Sequence, residues 1–132
     1  MTELKLRAWD IENEYFYYSS ESTWEAFGAH YLDWPTCYLI QQYTGLKDKN
    51  GKEIYEGDIF NLVNDPNEKN IYFVEYKNDR FWLSQYTGNF EVEDFHSFKD
   101  GYYRICLPVY CRDAHIIGNI FENKELEGVK NV

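Results

Sequence analysis

Short apolar segments alternate with turn-forming clusters along this chain, and that punctuation limits the fold more than any single residue. The clusters are Asp10-Ile11-Glu12-Asn13, Asn50-Gly51, Glu56-Gly57-Asp58, Asn64-Asp65-Pro66-Asn67, Asn78-Asp79-Arg80 and Asp100-Gly101. Gly, Asn and Asp tolerate the positive φ that tight turns need. The stretches between them read as strands: Leu4–Trp9, Tyr15–Tyr18, Thr36–Tyr43, Ile59–Val63, Ile71–Lys77, Phe81–Gln85, Tyr102–Tyr110 and Ala114–Phe121. Ile71–Lys77 and Phe81–Gln85 form the best hairpin. Two segments read as helical. Ser22-Thr23-Trp24-Glu25 resembles a capping box ahead of Trp24, Phe27 and Tyr31 at helical spacing. Glu91–Phe98 supports a turn or two. The expected fold is mainly β, a β-rich α+β arrangement. It is a small barrel-like or sandwich domain of short antiparallel strands with one or two short helices. With no repeat or linker-like tract, residues 1–132 are expected to form one domain.

Composition narrows the function classes. Aromatic residues make up 20% of the chain and its net charge is -10. An acidic surface repels phosphate, so direct nucleic-acid binding and anionic membranes are not expected. No apolar run reaches the length of a spanning helix, and Met1–Arg7 has no apolar signal-peptide core, so a cytoplasmic protein is expected. The charge is concentrated: residues 8–46 hold six acids and no Lys or Arg, together with eleven aromatics.

Within that segment, Tyr15-Phe16-Tyr17-Tyr18 would make both faces of a strand apolar, because successive side chains point opposite ways. One face can enter a core. The other needs cover from the same chain or from another. Tyr15, Tyr17, Trp24 and Tyr31, rimmed by Glu12, Glu14, Glu21 and Glu25, are the candidate contact surface.

Reactive constellations are sparse. Cys37, Cys106, Cys111 and His115 have the right residue types for a tetrahedral zinc site, but the Cys106–Cys111 spacing offers no tight turn. The plainer reading is reduced cytosolic thiols, partly buried. No hydrolase elbow, zinc-protease motif or phosphate-cradling loop is present. Glu93 and Asp94 near His96 read as solvated charges. No catalytic residue, cofactor or enzymatic activity is expected.

Three stretches resemble a known family when taken together. They are Lys5-Leu6-Arg7-Ala8-Trp9-Asp10, the long run from Gln42-Tyr43-Thr44-Gly45-Leu46-Lys47-Asp48 through Asn50-Gly51-Lys52-Glu53-Ile54-Tyr55-Glu56-Gly57-Asp58-Ile59, and Ile117-Gly118-Asn119-Ile120-Phe121-Glu122-Asn123. This pattern resembles the YopX family of small proteins encoded by bacteriophages and prophages. His115-Ile116 and Lys124 depart from the pattern. The resemblance implies a β-rich barrel-like fold and a bacterial host cell, with self-association. It carries over no catalytic residue.

The motif also has a purely physical reading. Gly45 and Gly51 suit positive φ, Asn50-Gly51 reverses the chain, and Glu56-Gly57-Asp58 makes a second tight turn in which Asp58 accepts main-chain N–H groups. Gln42, Thr44, Asp48 and Asp58 could instead form a functional surface.

The leading functional expectation is a non-catalytic, self-associating protein–protein interaction module, a homo-oligomer that also contacts a host or phage protein. One alternative is an acidic counter-defence or regulatory protein that mimics nucleic acid. The other is a sugar or nucleotide binder or enzyme, with a pocket lined by Trp9, Trp34 and Trp82.

Overall fold

The computed structural model describes residues 5–19, 38–63, 65, 69–91, 93, 96, 99–123 and 125–126. Within them the protein is mainly β. The strands are β1 (Leu6–Asp10), β2 (Tyr15–Tyr18), β3 (Tyr38–Lys47), β4 (Glu53–Tyr55), β5 (Asp58–Asn61), β6 (Ile71–Lys77), β7 (Arg80–Tyr86), β8 (Tyr102–Cys106) and β9 (Ile116–Asn119). One sheet has the order β2-β1-β3-β4, the other β8-β7-β6-β5-β9, and every pairing is antiparallel. Together they form a half-barrel.

The sheets are joined by the two residues between β4 and β5, Glu56 and Gly57. Gly57 has φ +89°, and its N–H donates to Val74 C=O at 2.7 Å while its C=O accepts from Ile120 N–H at 2.8 Å. A side chain here would be strained by φ and would lie 3.1 Å from the Phe121 ring. The Asn50-Gly51 turn also forms. Gly51, at φ +81°, closes a three-residue loop in which Asp48 and Lys52 pair through the main chain. Asn78 and Asp79 both take positive φ, 51° and 63°, as the two-residue hairpin turn with matching twist requires. Arg80, expected in that turn, opens β7 instead.

The main core contains Ile54, Phe60, Leu62, Tyr72, Val74, Leu83, Ile105 and Leu107, drawn from β4 to β8 and the segment after it. Burying each such aliphatic or aromatic side chain contributes roughly 1.5–3 kcal/mol.

Two expectations need correction. The expected strand Tyr102–Tyr110 stops at Cys106, and Leu107–Tyr110 form a short helix, α1. Pro108 explains this, since it has no N–H for a sheet ladder but fits the first turn of a helix. The helix expected over Glu91–Phe98 does not run through Glu93, which sits in a β-bridge. The Ser22–Tyr31 helix lies outside the described residues.

Gly51→Ala should cost about 1 kcal/mol, because only the φ is unfavourable there. Gly57→Ala should cost about 2–3 kcal/mol, since it also crowds Phe121. Equilibrium urea unfolding of the two variants checks the order. Equal losses would contradict the packing account.

Candidate functional site

The three sequence motifs meet where β1, the β4–β5 turn and β9 come together. Arg7, on β1, is buried, and its guanidinium lies 2.9 Å from the buried carboxylate of Asp58 at the start of β5. It also donates to Glu56 C=O at 3.0 Å and to Gln41 Oε1 at 3.3 Å. The guanidinium lies over the Phe16 ring, at 4.4 Å, and over the Tyr55 ring, at 5.0 Å. The other Asp58 oxygen accepts the Tyr55 N–H at 2.8 Å, so Asp58 does hold the turn as its sequence position suggests. Burial pushes the Asp58 carboxyl up, against the pull of Arg7 and the Tyr55 N–H.

Asp48 makes the second link. Its Oδ1 accepts from Asn50 and Lys52 N–H, and its Oδ2 from Ile116 N–H, each at 2.9 Å. The β3–β4 loop is thereby fixed to β9. Burial raises the Asp48 carboxyl, but these main-chain donors outweigh it and hold it below the ordinary carboxylate range. Trp9 stacks on Phe121 at 5.7 Å and completes the junction.

These contacts decide between the two readings of the middle motif. Asp48 and Asp58 are buried and directed at internal donors, and Thr44 is buried too. Gln42, Thr44, Asp48 and Asp58 therefore do not form an exposed functional surface.

A second buried cation lies in the other sheet. Arg104, on β8, pairs with Glu75 and makes a forked contact with Asp100 at 3.0 and 2.6 Å. Ser84 donates to Glu75 at 2.7 Å. Burial raises Asp100 and opposes the charge on Arg104. The hydrogen bonds between them outweigh burial, so Asp100 is lowered and Arg104 raised. His96 packs against this strand. Its Nδ1 donates to Arg104 C=O at 2.9 Å, and its ring stacks on Tyr103.

The candidate contact residues divide. Phe16 and Tyr18 face the same side as Arg7 and Trp9, where Phe16 meets Trp9 and Tyr18 meets Tyr55. Tyr15 and Tyr17 lie on the opposite face with ring centroids 5.2 Å apart, and Tyr17 also meets Tyr38. Tyr15 is 51% exposed, and exposed Ile11, Glu12 and Glu14 occupy the adjacent turn. Trp24, Tyr31, Glu21 and Glu25 lie outside the described residues. Asp10, one of the acids in the base-free segment, is buried and accepts the N–H groups of Glu12 and Asn13 at 3.0 Å.

The proposed zinc ligands are not brought together. Cys111 belongs to the main core, Cys106 is half-buried at the end of β8, and His115 is exposed. The chain turns through α1 after Cys106, which carries Cys111 inward and leaves His115 outside. Burial pushes the Cys111 thiol up. Among the described residues no three His, Cys, Asp or Glu side chains form a metal-holding group, and Cys37 lies outside them. The tryptophan pocket is not formed by Trp9 and Trp82. Both are buried, on different sheets, and Trp82 donates its indole N–H to Lys77 C=O. Trp34 lies outside the described residues.

Comparison with protein families now bears on this junction. The family model described as YopX protein matches residues 5–126, which include all three motifs. The chain belongs to the YopX family. A similar solved structure is the crystal structure of protein EF1440 from Enterococcus faecalis. It has a TM-score of 0.53 and 23% identity, with 95% of this chain and 98% of that chain covered. This likeness is one of fold. The search of curated proteins found no match. Among the described residues of this YopX protein, no helix is long and apolar enough to cross a membrane.

Sequence reasoning missed Arg7 and Arg104 as buried residues. Arg7 had a signal: it is the last cation before a long base-free segment and lies between Leu6 and Ala8. Arg104 had less of one: Asp100 lies only four positions before it, but Glu75 comes from another strand 29 positions away.

Arg7→Met and Asp58→Asn should each cost about 3–5 kcal/mol in urea unfolding, since either leaves a buried group without its partner. A loss below about 1 kcal/mol would contradict the pairing. Asp48 has a pH signature. Its lowered carboxyl contributes stability that is full above about pH 4 and lost as pH falls through its folded value. Asp48→Asn should flatten that acid limb of the stability curve. An unchanged limb would contradict it.

Proposed function

We propose that this YopX protein is a non-catalytic accessory protein of phage or prophage origin. It works in the bacterial cytoplasm through protein–protein contact and assembles with copies of itself. The β1–β2 hairpin carries this reading. β2 is the end strand of its sheet among the described residues. Ser19 donates its N–H to Leu6 C=O at 2.9 Å, which sets the phase of the ladder and turns the main-chain groups of Phe16 and Tyr18 outward. An end strand with such groups is a template for another strand. Exposed Tyr15 and Ile11 supply apolar contact area, and Glu12 and Glu14 a polar border.

The family motifs support a non-catalytic role. Their carboxylates hold turns and strands together, so Asp48 and Asp58 are not a solvent-facing acid–base pair.

Sedimentation velocity across micromolar concentrations tests the reading. The wild type should associate. Tyr15→Lys should sediment as a monomer and keep the thermal midpoint that the wild type shows when diluted to monomer, because Tyr15 is exposed in the single chain. A strictly monomeric wild type overturns self-association. Equal association by Tyr15→Lys overturns the assignment of the contact to this hairpin.

A further inference from the structure

A pocket of about 420 Å³ lies where β3 passes the start of β7 and the end of β8. It is lined by Thr44, Leu46, Arg80, Phe81, Cys106 and Pro108. Its size falls within the range of small-molecule sites.

The pocket follows from an irregularity in β3. The pairing of β3 with β4 shifts between Tyr43 and Lys47, and Gly45 sits in that gap at φ +86°. Such a bulge re-aims neighbouring side chains. Leu46 and Phe81 pack against the main core at one end and line the pocket at the other. With Pro108 they give it an apolar floor.

Among the described residues, each polar side chain lining the pocket can donate a hydrogen bond. Arg80 is exposed and has no ion-pair partner among the described residues; its guanidinium lies 5.6 Å from the centre of the Trp82 ring. Thr44 Oγ1 accepts the Leu46 N–H at 3.2 Å, and its own hydroxyl proton has no acceptor among the described residues. Cys106 adds a thiol. Among the described residues no carboxylate lines the pocket, although the chain as a whole carries a net charge of -10. Arg7 is locked to a buried acid and Arg104 to two half-buried ones, whereas Arg80 is paired with no acid among the described residues.

We propose that this pocket is a binding site for a small monocarboxylate with a compact apolar body. The carboxylate contacts Arg80 and the Thr44 hydroxyl, and the body rests on Leu46, Phe81 and Pro108. Arginine matches a carboxylate through two parallel N–H donors, and a local cation in an acidic protein selects anions. This site is separate from the β1–β2 hairpin, so it stands or falls independently of self-association.

Cys106 supplies an internal reporter, because it is a half-buried thiol on the pocket wall. The test uses 4-phenylbutyrate, with 4-phenylbutanol and 4-phenylbutylamine as neutral and cationic analogues of the same shape. Alkylation of Cys106 by iodoacetamide is followed by peptide mass spectrometry, which separates it from the other cysteines. The carboxylate should slow alkylation at concentrations roughly tenfold lower than the alcohol needs, the gain of a charge-assisted hydrogen bond. The amine should protect least. Arg80→Gln should remove the preference for the carboxylate while leaving weak protection by the alcohol. Arg80→Lys should keep much of it. A second readout needs no ligand: Arg80→Gln should lower the rate of Cys106 alkylation by anionic iodoacetate relative to neutral iodoacetamide. The proposal is overturned if the three probes protect equally, if the carboxylate gives no protection, or if its preference survives in Arg80→Gln.

Discussion

The contact between Arg7 and Asp58 joins the two sheets, and much of the architecture depends on it. A buried guanidinium and a buried carboxylate each carry a heavy desolvation cost, so neither is tolerable alone. The surroundings meet that cost at almost every polar atom. Gln41 and Glu56 C=O take guanidinium N–H groups, the Tyr55 N–H takes the second carboxylate oxygen, and two aromatic rings cover the cation. None of these partners is a neighbour of Arg7 in the chain. The pair therefore acts less as a stabilising bond than as a condition on geometry. A packing that misplaces β1 against the β4–β5 turn strands two charges in an apolar interior.

Much of the fold was legible in the sequence because turns announce themselves locally. Asn50-Gly51 and Asn78-Asp79 marked real reversals, and Tyr15–Tyr18 and Ile71–Lys77 are strands over the expected residues. The failures have physical causes. Tyr102–Tyr110 looked like one strand because its aromatic and branched residues suit a sheet, but Pro108 cannot join the ladder and turns the chain into α1. Arg7 looked like one side of a partly alternating strand. Its burial depends on an acid from a distant part of the chain, which periodicity cannot reveal.

The candidate sites were less legible still. The zinc set failed at its described members because α1 sends Cys111 into the core while His115 stays exposed. The aromatic run was read correctly as two-faced: Phe16 and Tyr18 turn toward Arg7, and Tyr15 and Tyr17 turn away. The long middle motif resolves into a joint, with Asp48 holding a loop to β9 and Asp58 holding a turn to β1. Thr44 and Leu46 remain as the part of that motif that also reaches a pocket.

The anchor between Asp48 and the Ile116 N–H spans 68 positions of sequence, and that from Arg7 to Glu56 spans 49. Both require large loops to close before any energy is returned, which is the kind of topology that folds slowly. On the ribosome, β5 pairs with β6 early but gains its other neighbour only when residues 116–119 emerge. Until then one flank of β5 is bare, and the Asp48 loop lacks its third donor. A chain whose last strand has not yet joined has most of its strands but an incomplete joint, and an unpaired flank in such a form invites association with other chains.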